Sequence, residues 1–181
     1  MKENKQVKRS KKWMHQALLD LLEKKPFSSI SILNIVEKAD VARLTFYRNY
    51  KSKEDMVIQK GKEICDDILN QFRIENCTSF SDSLSIIANI FSSQSRFFHL
   101  LLKNNLEYLV LKSFEKEVEE IFRSVLNTDF KDVYELKFYV GAFSSVVFEW
   151  FKNEKNVHIN ELENILVNLF QSKVLINGKY Q

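Results

Sequence analysis

Glycine and proline are almost absent from this chain, with three Gly and one Pro among 181 residues, against averages of about 7% and 5%. Tight β-hairpins need such residues at their turns, so their scarcity points to helices joined by short polar connections. No apolar run approaches the ~18 residues of a membrane span, and none is expected. Residues 13–22 are interrupted by His15, Gln16 and Asp20 and lack a small-residue cleavage site, so they do not read as a secretory signal. Cys65 and Cys77 have neither CxxC spacing nor clustered histidines. They are expected to be reduced thiols of a cytoplasmic protein rather than metal ligands. His15, His99 and His158 are scattered, and no nucleophile motif or phosphate loop accompanies them, which argues against an enzyme. No metal or cofactor is expected.

What is present is asymmetric. Residues 1–60 hold 14 Lys/Arg against 7 Asp/Glu, while residues 61–181 hold 13 against 17; +7 and −4 together give the net charge of +3. A basic first third on an acidic remainder implies that one end meets a polyanion. Residues 1–12 carry six cations against Glu3 and little that is apolar. They are expected to form a mobile arm, read either as a solubilising tail or as a phosphate-seeking one.

From Trp13, apolar residues recur at Met14, Ala17, Leu18, Leu21 and Leu22 with helical spacing, and Pro26 closes that helix. Ser31 reads as the N-cap of a short second helix through Ile32, Ile35, Val36 and Ala39. A third short helix, roughly 42–48, follows the turn Ala39-Asp40-Val41. Ser52, with Asp55 three residues on, approximates a capping box opening a long fourth helix. Residues 32–48 thus have the layout of a helix-turn-helix. Ile35, Val36, Val41 and Phe46 supply the wedge, and Asp40 is expected to take the left-handed conformation that Asp tolerates better than most residues. The third helix would enter a major groove and present Ala42, Arg43, Thr45, Tyr47 and Asn49. Arg43 has the fork for guanine O6/N7, Asn49 suits adenine or phosphate, and Ala42 suits a thymine methyl. Tyr47 and Tyr50 can bond phosphates, although Tyr50 serves equally well as a plug beside Phe46. Lys53 lies in the first turn of the next helix, where backbone N–H groups also favour an anion.

The stretch Ser28-Ser29-Ile30-Ser31-Ile32, Ile35-Val36-Glu37-Lys38-Ala39-Asp40-Val41 and Thr45-Phe46-Tyr47-Arg48-Asn49-Tyr50-Lys51-Ser52-Lys53-Glu54-Asp55-Met56 resembles the DNA-binding domain of the TetR family of regulators. The resemblance covers about residues 10–60, and its aromatic-Lys-Ser-Lys-Glu tail is the most specific part. It implies that Arg43, Leu44, Tyr47, Asn49 and Lys53 fall where family members touch DNA and that Thr45 meets a phosphate; Ser31 is a further candidate DNA contact. Three positions depart from the pattern. Asp40 replaces the usual Gly, Leu44 replaces a small or polar residue, and Lys25-Pro26 replaces the Gly that ends the first helix.

Thirteen of the 15 Phe follow residue 60. Helical patterns run at about 83–93, 95–103, 105–127, 131–153 and 159–176. Phe98, His99, Tyr108, Phe138 and Tyr139 are candidate lining for an effector pocket, apolar with a few polar anchors; the plain alternative is core. In the helix at 131–153, Gly141 and Ser145 allow close approach of a partner backbone. With Phe148, and with Leu162, Leu166 and Leu169 of the last helix, they are candidates for a dimer interface, the packing the resemblance implies. The same stripes can also face the chain's own core. The run from Gly141 to Phe151 is similar to a TetR branch that includes dihydroxyacetone-kinase operon regulators.

The expected architecture is all-α, with a helix-turn-helix domain at 1–60 and a larger dimerisation and effector domain at 61–181. The expected activity is that of a homodimeric repressor binding a palindromic operator in double-stranded DNA under a small-molecule or protein effector. The alternative is a helical interaction module whose basic head does not read sequence.

Overall fold

The computed structural model describes residues 5–75, 80–113, 119–121, 123, 132–153 and 158–177. Among them all regular structure is helical. The order is α1 (Lys5–Leu22), a 3-10 turn (Phe27–Ser29), α2 (Ile32–Lys38), α3 (Arg43–Asn49) and α4 (Lys53–Ile74), then α5 (Phe80–Ser93), α6 (Ser95–Lys103), α7 (Glu107–Ser113), α8 (Val133–Lys152) and α9 (Ile159–Asn177). The architecture is the all-α one expected. No described helix is long and apolar enough to cross a membrane.

Helix α1 begins at Lys5, so residues 5–12 are part of a helix rather than an arm. Lys, Gln and Arg are good helix formers, and this stretch is anchored on one side. Ser10 is buried, and its hydroxyl donates to the carbonyls of Gln6 and Val7. Met14, Ala17, Leu18 and Leu22 continue the buried stripe.

Two turns depend on residues in the left-handed region, Asp40 at φ 51° and Asn105 at φ 54°. At the first, the Asp40 N–H donates to Glu37 O (3.2 Å) and the Val41 N–H to Val36 O (3.0 Å). This pair of bonds is a Schellman closure, with Val41 as its apolar lock against the end of α2. The second repeats it. Asn105 N donates to Leu102 O and Leu106 N to Leu101 O, at 3.1 and 2.9 Å. That closure ends α6 and delays α7 to Glu107. The single helix expected over 105–127 is therefore described only as α7 and a few positions near 120; residues 114–118, 122 and 124–131 lie outside the described residues.

Caps fix the other starts. Ser31 accepts from Asn34 N while the Asn34 amide oxygen accepts from Ser31 N, both at 3.1 Å, a reciprocal capping box. Ser52 accepts from Asp55 N (3.1 Å), but the Asp55 carboxylate accepts from Lys51 N (2.8 Å), one residue before the box position. Asp132 opens α8 by accepting from Tyr134 N and Glu135 N.

Helix α1 packs on α2, α3 and α6, α4 on α5 and α7, α6 on α8, and α5 on α9. One continuous apolar core runs from Met14 to Phe170. At its centre the rings of Phe98 and Phe151 stack at 5.0 Å, with Phe91 4.9 Å from Phe98 and Trp150 4.8 Å from Phe151. The domain boundary expected at residue 60 falls inside α4, which belongs to both halves.

Candidate nucleic-acid interface

Helix α3 has seven residues, too few to be stable alone, so its neighbours must hold it. Phe46 is fully buried and packs edge-on against Tyr47 and tilted against Tyr50, with centroids 5.7 and 5.5 Å apart. With Ile35 and Val36 it forms the expected wedge, and Val41 is partly buried against it. Truncating such a ring typically costs 3–5 kcal/mol.

The face opposite Phe46 is open. Arg43, Leu44, Tyr47 and Arg48 are exposed, with Leu44 at 60% and Tyr47 at 47%. The Arg43 guanidinium donates to the Tyr47 hydroxyl (3.2 Å) and lies over its ring at 5.5 Å. The two side chains brace each other at the surface. Ala42 is the exposed N-cap, and Ser31 is exposed at the start of α2.

Several expected contact residues are partly or fully covered by the chain itself. Thr45 and Asn49 are half-buried, and the Asn49 amide donates to Thr45 O at 2.6 Å. Tyr50 is 2% exposed, with its hydroxyl 3.1 Å from His15 Nε2. It plugs the core of the head. Lys53 donates to Phe27 O (2.6 Å) and Ile30 O (2.8 Å) while its ammonium sits 4.4 Å above the Phe27 ring. Its ammonium closes the 3-10 turn. Arg48 is the residue that sequence reasoning missed. It shares the exposed arc with Leu44 and Tyr47, a relation visible once residues 43–49 are plotted at 100° per residue.

His15 is held neutral. Burial first, then the charges of Lys60 and Lys11, push its pKa from 6.5 down to about 3.

Above the head, α6 joins the two halves. The Arg96 guanidinium donates to Asp20 (2.8 Å) and to Glu23 (2.8 and 2.9 Å) at the end of α1. Asp20 also pairs with Lys38 of α2 at 3.4 Å. Asn104, at the other end of α6, accepts from Phe27 N at 3.1 Å.

The larger half contains an apolar cavity of about 60 Å³ between α4, α5, α6, α7 and α8; Gly61, Cys65, Phe91, Phe98, Phe143 and Phe148 are among its lining. Of the five residues expected to line a pocket, Phe98 borders this cavity. His99 is exposed, Tyr108 and Phe138 are half-exposed, and Tyr139 packs against Phe170 at 5.8 Å. Of the expected dimer residues, Gly141, Ser145 and Leu169 are exposed, Phe148 lines the cavity, and Leu162 and Leu166 are buried in the chain's own core. An added Cβ at Gly141 would meet nothing within 4 Å. Among the described residues, no group of three or more His, Cys, Asp or Glu is placed to hold a metal.

Residues 16–59 match the family model described as "Bacterial regulatory proteins, tetR family". This segment is a TetR-family helix-turn-helix. That match spans α1 from Gln16 to the first two turns of α4, the segment that carries the Asp40 closure and the exposed arc. An uncharacterized HTH-type transcriptional regulator, YxbF of Bacillus subtilis (strain 168), is 31% identical over 72 residues, 39% of this chain. The match spans only 19% of that relative's length. Similar solved structures extend over nearly the whole chain. The TetR transcriptional regulator from Streptococcus agalactiae 2603V has a TM-score of 0.67 at 21% identity, covering 91% of this chain and 94% of that one. The dihydroxyacetone kinase operon activator DhaS has a TM-score of 0.63 at 16% identity, covering 92% and 97%. At these identities the likeness establishes the TetR-like fold, with its N-terminal helix-turn-helix and larger helical domain.

Proposed function

We propose that this chain is a sequence-specific transcription repressor of the TetR type that binds a near-palindromic operator as a homodimer. The observation that carries this reading is the exposed arc of Arg43, Leu44, Tyr47 and Arg48 on a short helix locked from behind by Phe46 and from the front by the Asp40 closure. A helix presented in this way fits a major groove, and Arg43 has the donor geometry for guanine. Dimerisation through α8 and α9 is supported by the apolar residues left open there. Phe138 is 52% exposed, and it shares one face of α8 with Gly141 and Ser145; Ile165 and Leu169 are open on α9. A two-fold dimer would set two reading helices about 34–36 Å apart, or a multiple of that, along one face of the duplex. The cavity against Phe98 is the effector site in this reading. Its walls offer apolar contact, so a small uncharged ligand suits it.

Selection from random duplexes with the purified chain tests the proposal. A palindromic consensus is expected, and Arg43→Ala is expected to relax preference at one position of each half-site by about 1–3 kcal/mol. Recovery of no consensus would overturn sequence-specific reading and favour a head that binds without reading bases.

A further inference from the structure

The first half of α1 carries charge that neither the wedge nor the reading helix uses. Lys5, Lys8, Arg9 and Lys12 follow one another at i, i+3, i+4 and i+7 and are all exposed, so they share one helical face. The opposite face, Ser10 and Met14, is buried. No acidic residue occurs from Lys5 to Leu19, and Lys5, Lys8 and Lys12 make no ion pair among the described residues. Like charges three and four apart on a helix repel one another, so the face is unfavourable for the free protein and complementary to a polyanion. Trp13 closes the stripe. It is 44% exposed, and the Arg9 guanidinium lies 4.8 Å from its ring centre.

The position of this face matters as much as its charge. His15 of α1 meets Tyr50, the C-cap of α3, with ring centroids 5.8 Å apart. From that contact back to Lys5 is ten residues, roughly 15 Å of helix at 1.5 Å per residue. The basic face is therefore a rigid rod rooted at the end of the reading helix.

We propose that the Lys5-Lys8-Arg9-Lys12 face of α1 is a second DNA contact, gripping phosphates that flank the bases met by α3. The inference rests on the reading of α3 as the DNA-contacting helix. Phosphate contacts of this kind position a protein and add affinity without sequence information.

The test compares wild type with Lys5→Gln/Lys8→Gln/Lys12→Gln on two duplexes carrying the selected operator. One ends at the last specified base pair, and the other extends it by roughly ten base pairs, one helical turn, on each side. Gln has nearly the helix propensity of Lys, and the substitutions relieve repulsion. The thermal midpoint of the free variant should thus be unchanged or raised. On the extended duplex the variant should bind about tenfold more weakly or worse, with a salt slope shallower by roughly 2–3 per protomer. Its base preference should be unchanged, and on the trimmed duplex the two proteins should agree. Equal affinity and slope on the extended duplex would overturn the proposal, as would equal losses on both duplexes, which would mean a diffuse field rather than a contact. A lowered midpoint would mark the face as structural. Wild type that binds phosphatidylserine vesicles through these lysines, with DNA binding unaltered in the variant, would assign the face to a membrane surface instead. Should wild type select no operator, the underlying reading of α3 fails, and this inference fails with it.

Discussion

Asp40 stands in the left-handed region at φ 51°, where the Cβ of an L-residue is crowded by its own following carbonyl. A short polar side chain tolerates this, and a β-branched one does not. Asp40→Val is therefore expected to lower stability by about 1–2 kcal/mol, read as a shift in urea midpoint at constant slope; an unshifted midpoint would refute the strain. His15 gives a second expectation. Its pKa is about 3 in the folded chain and 6.5 as the ordinary value, so the unfolded state binds a proton that the folded state refuses. The contribution is complete above pH 6.5 and is lost as pH falls from there toward 3, at up to ~1.4 kcal/mol per pH unit. His15→Phe should flatten that limb of the pH–stability curve. The left-handed turn was legible in the sequence because it is local, a polar residue between two helical stripes. The inward roles of Tyr50 and Lys53 were not, because their partners lie 35 and 23–26 residues away. Nothing in the spacing of a lysine tells whether its ammonium meets a phosphate or a carbonyl of its own chain.

Among the helices, residues 43–49 set 100° apart place Arg48 on the exposed arc with Leu44 and Tyr47, a relation the 3.6-residue period makes readable from the sequence. Helix α1 reaches further toward the N-terminus than its composition implies. Composition without apolar residues reads as disorder, whereas one buried serine and a continuing stripe suffice to extend a helix already nucleated. Helix α6 yields a prediction of its own. Arg96 is partly exposed, and a lone pair there would contribute little. It forks between two carboxylates, however, and Asp20 passes the connection on to Lys38 of α2. Hydrogen bonding from Arg96 holds the Asp20 carboxyl below its usual range against partial burial, with Gln16 and Lys38 adding to it. That contribution is present above the ordinary carboxylate range and is lost as pH falls through the lowered value. Arg96→Met is expected to speed amide exchange in α2 while leaving α9 unaffected. Unchanged exchange in α2 would show that the fork carries no restraint.

For the molecule as a whole, the all-α class and the two-part plan were legible from missing glycine and proline, from charge asymmetry and from the resemblance at residues 10–60. The cavity was not, because aromatic residues at helical spacing look the same whether they line a void or fill one. Phe98, an expected lining residue, borders it. The half-exposed Phe138 and Leu169 carry the expectation for assembly. Phe138→Glu/Leu169→Glu should sediment as a monomer with unaltered helical content, and wild type should sediment as a dimer. A monomeric wild type at micromolar concentration would remove the assembly from the proposal.

The continuity of α4 has a practical corollary. Proteases cut where several residues can leave the surface together, and the junction between head and body is instead the middle of a 22-residue helix whose Val57, Gly61 and Ile64 are buried. Limited digestion should thus spare that junction, and a fragment ending near residue 60 would carry a frayed stub with Met56 and Val57 stripped of their cover. Such a piece would be a poor stand-in for the head, however complete its sequence motif looks.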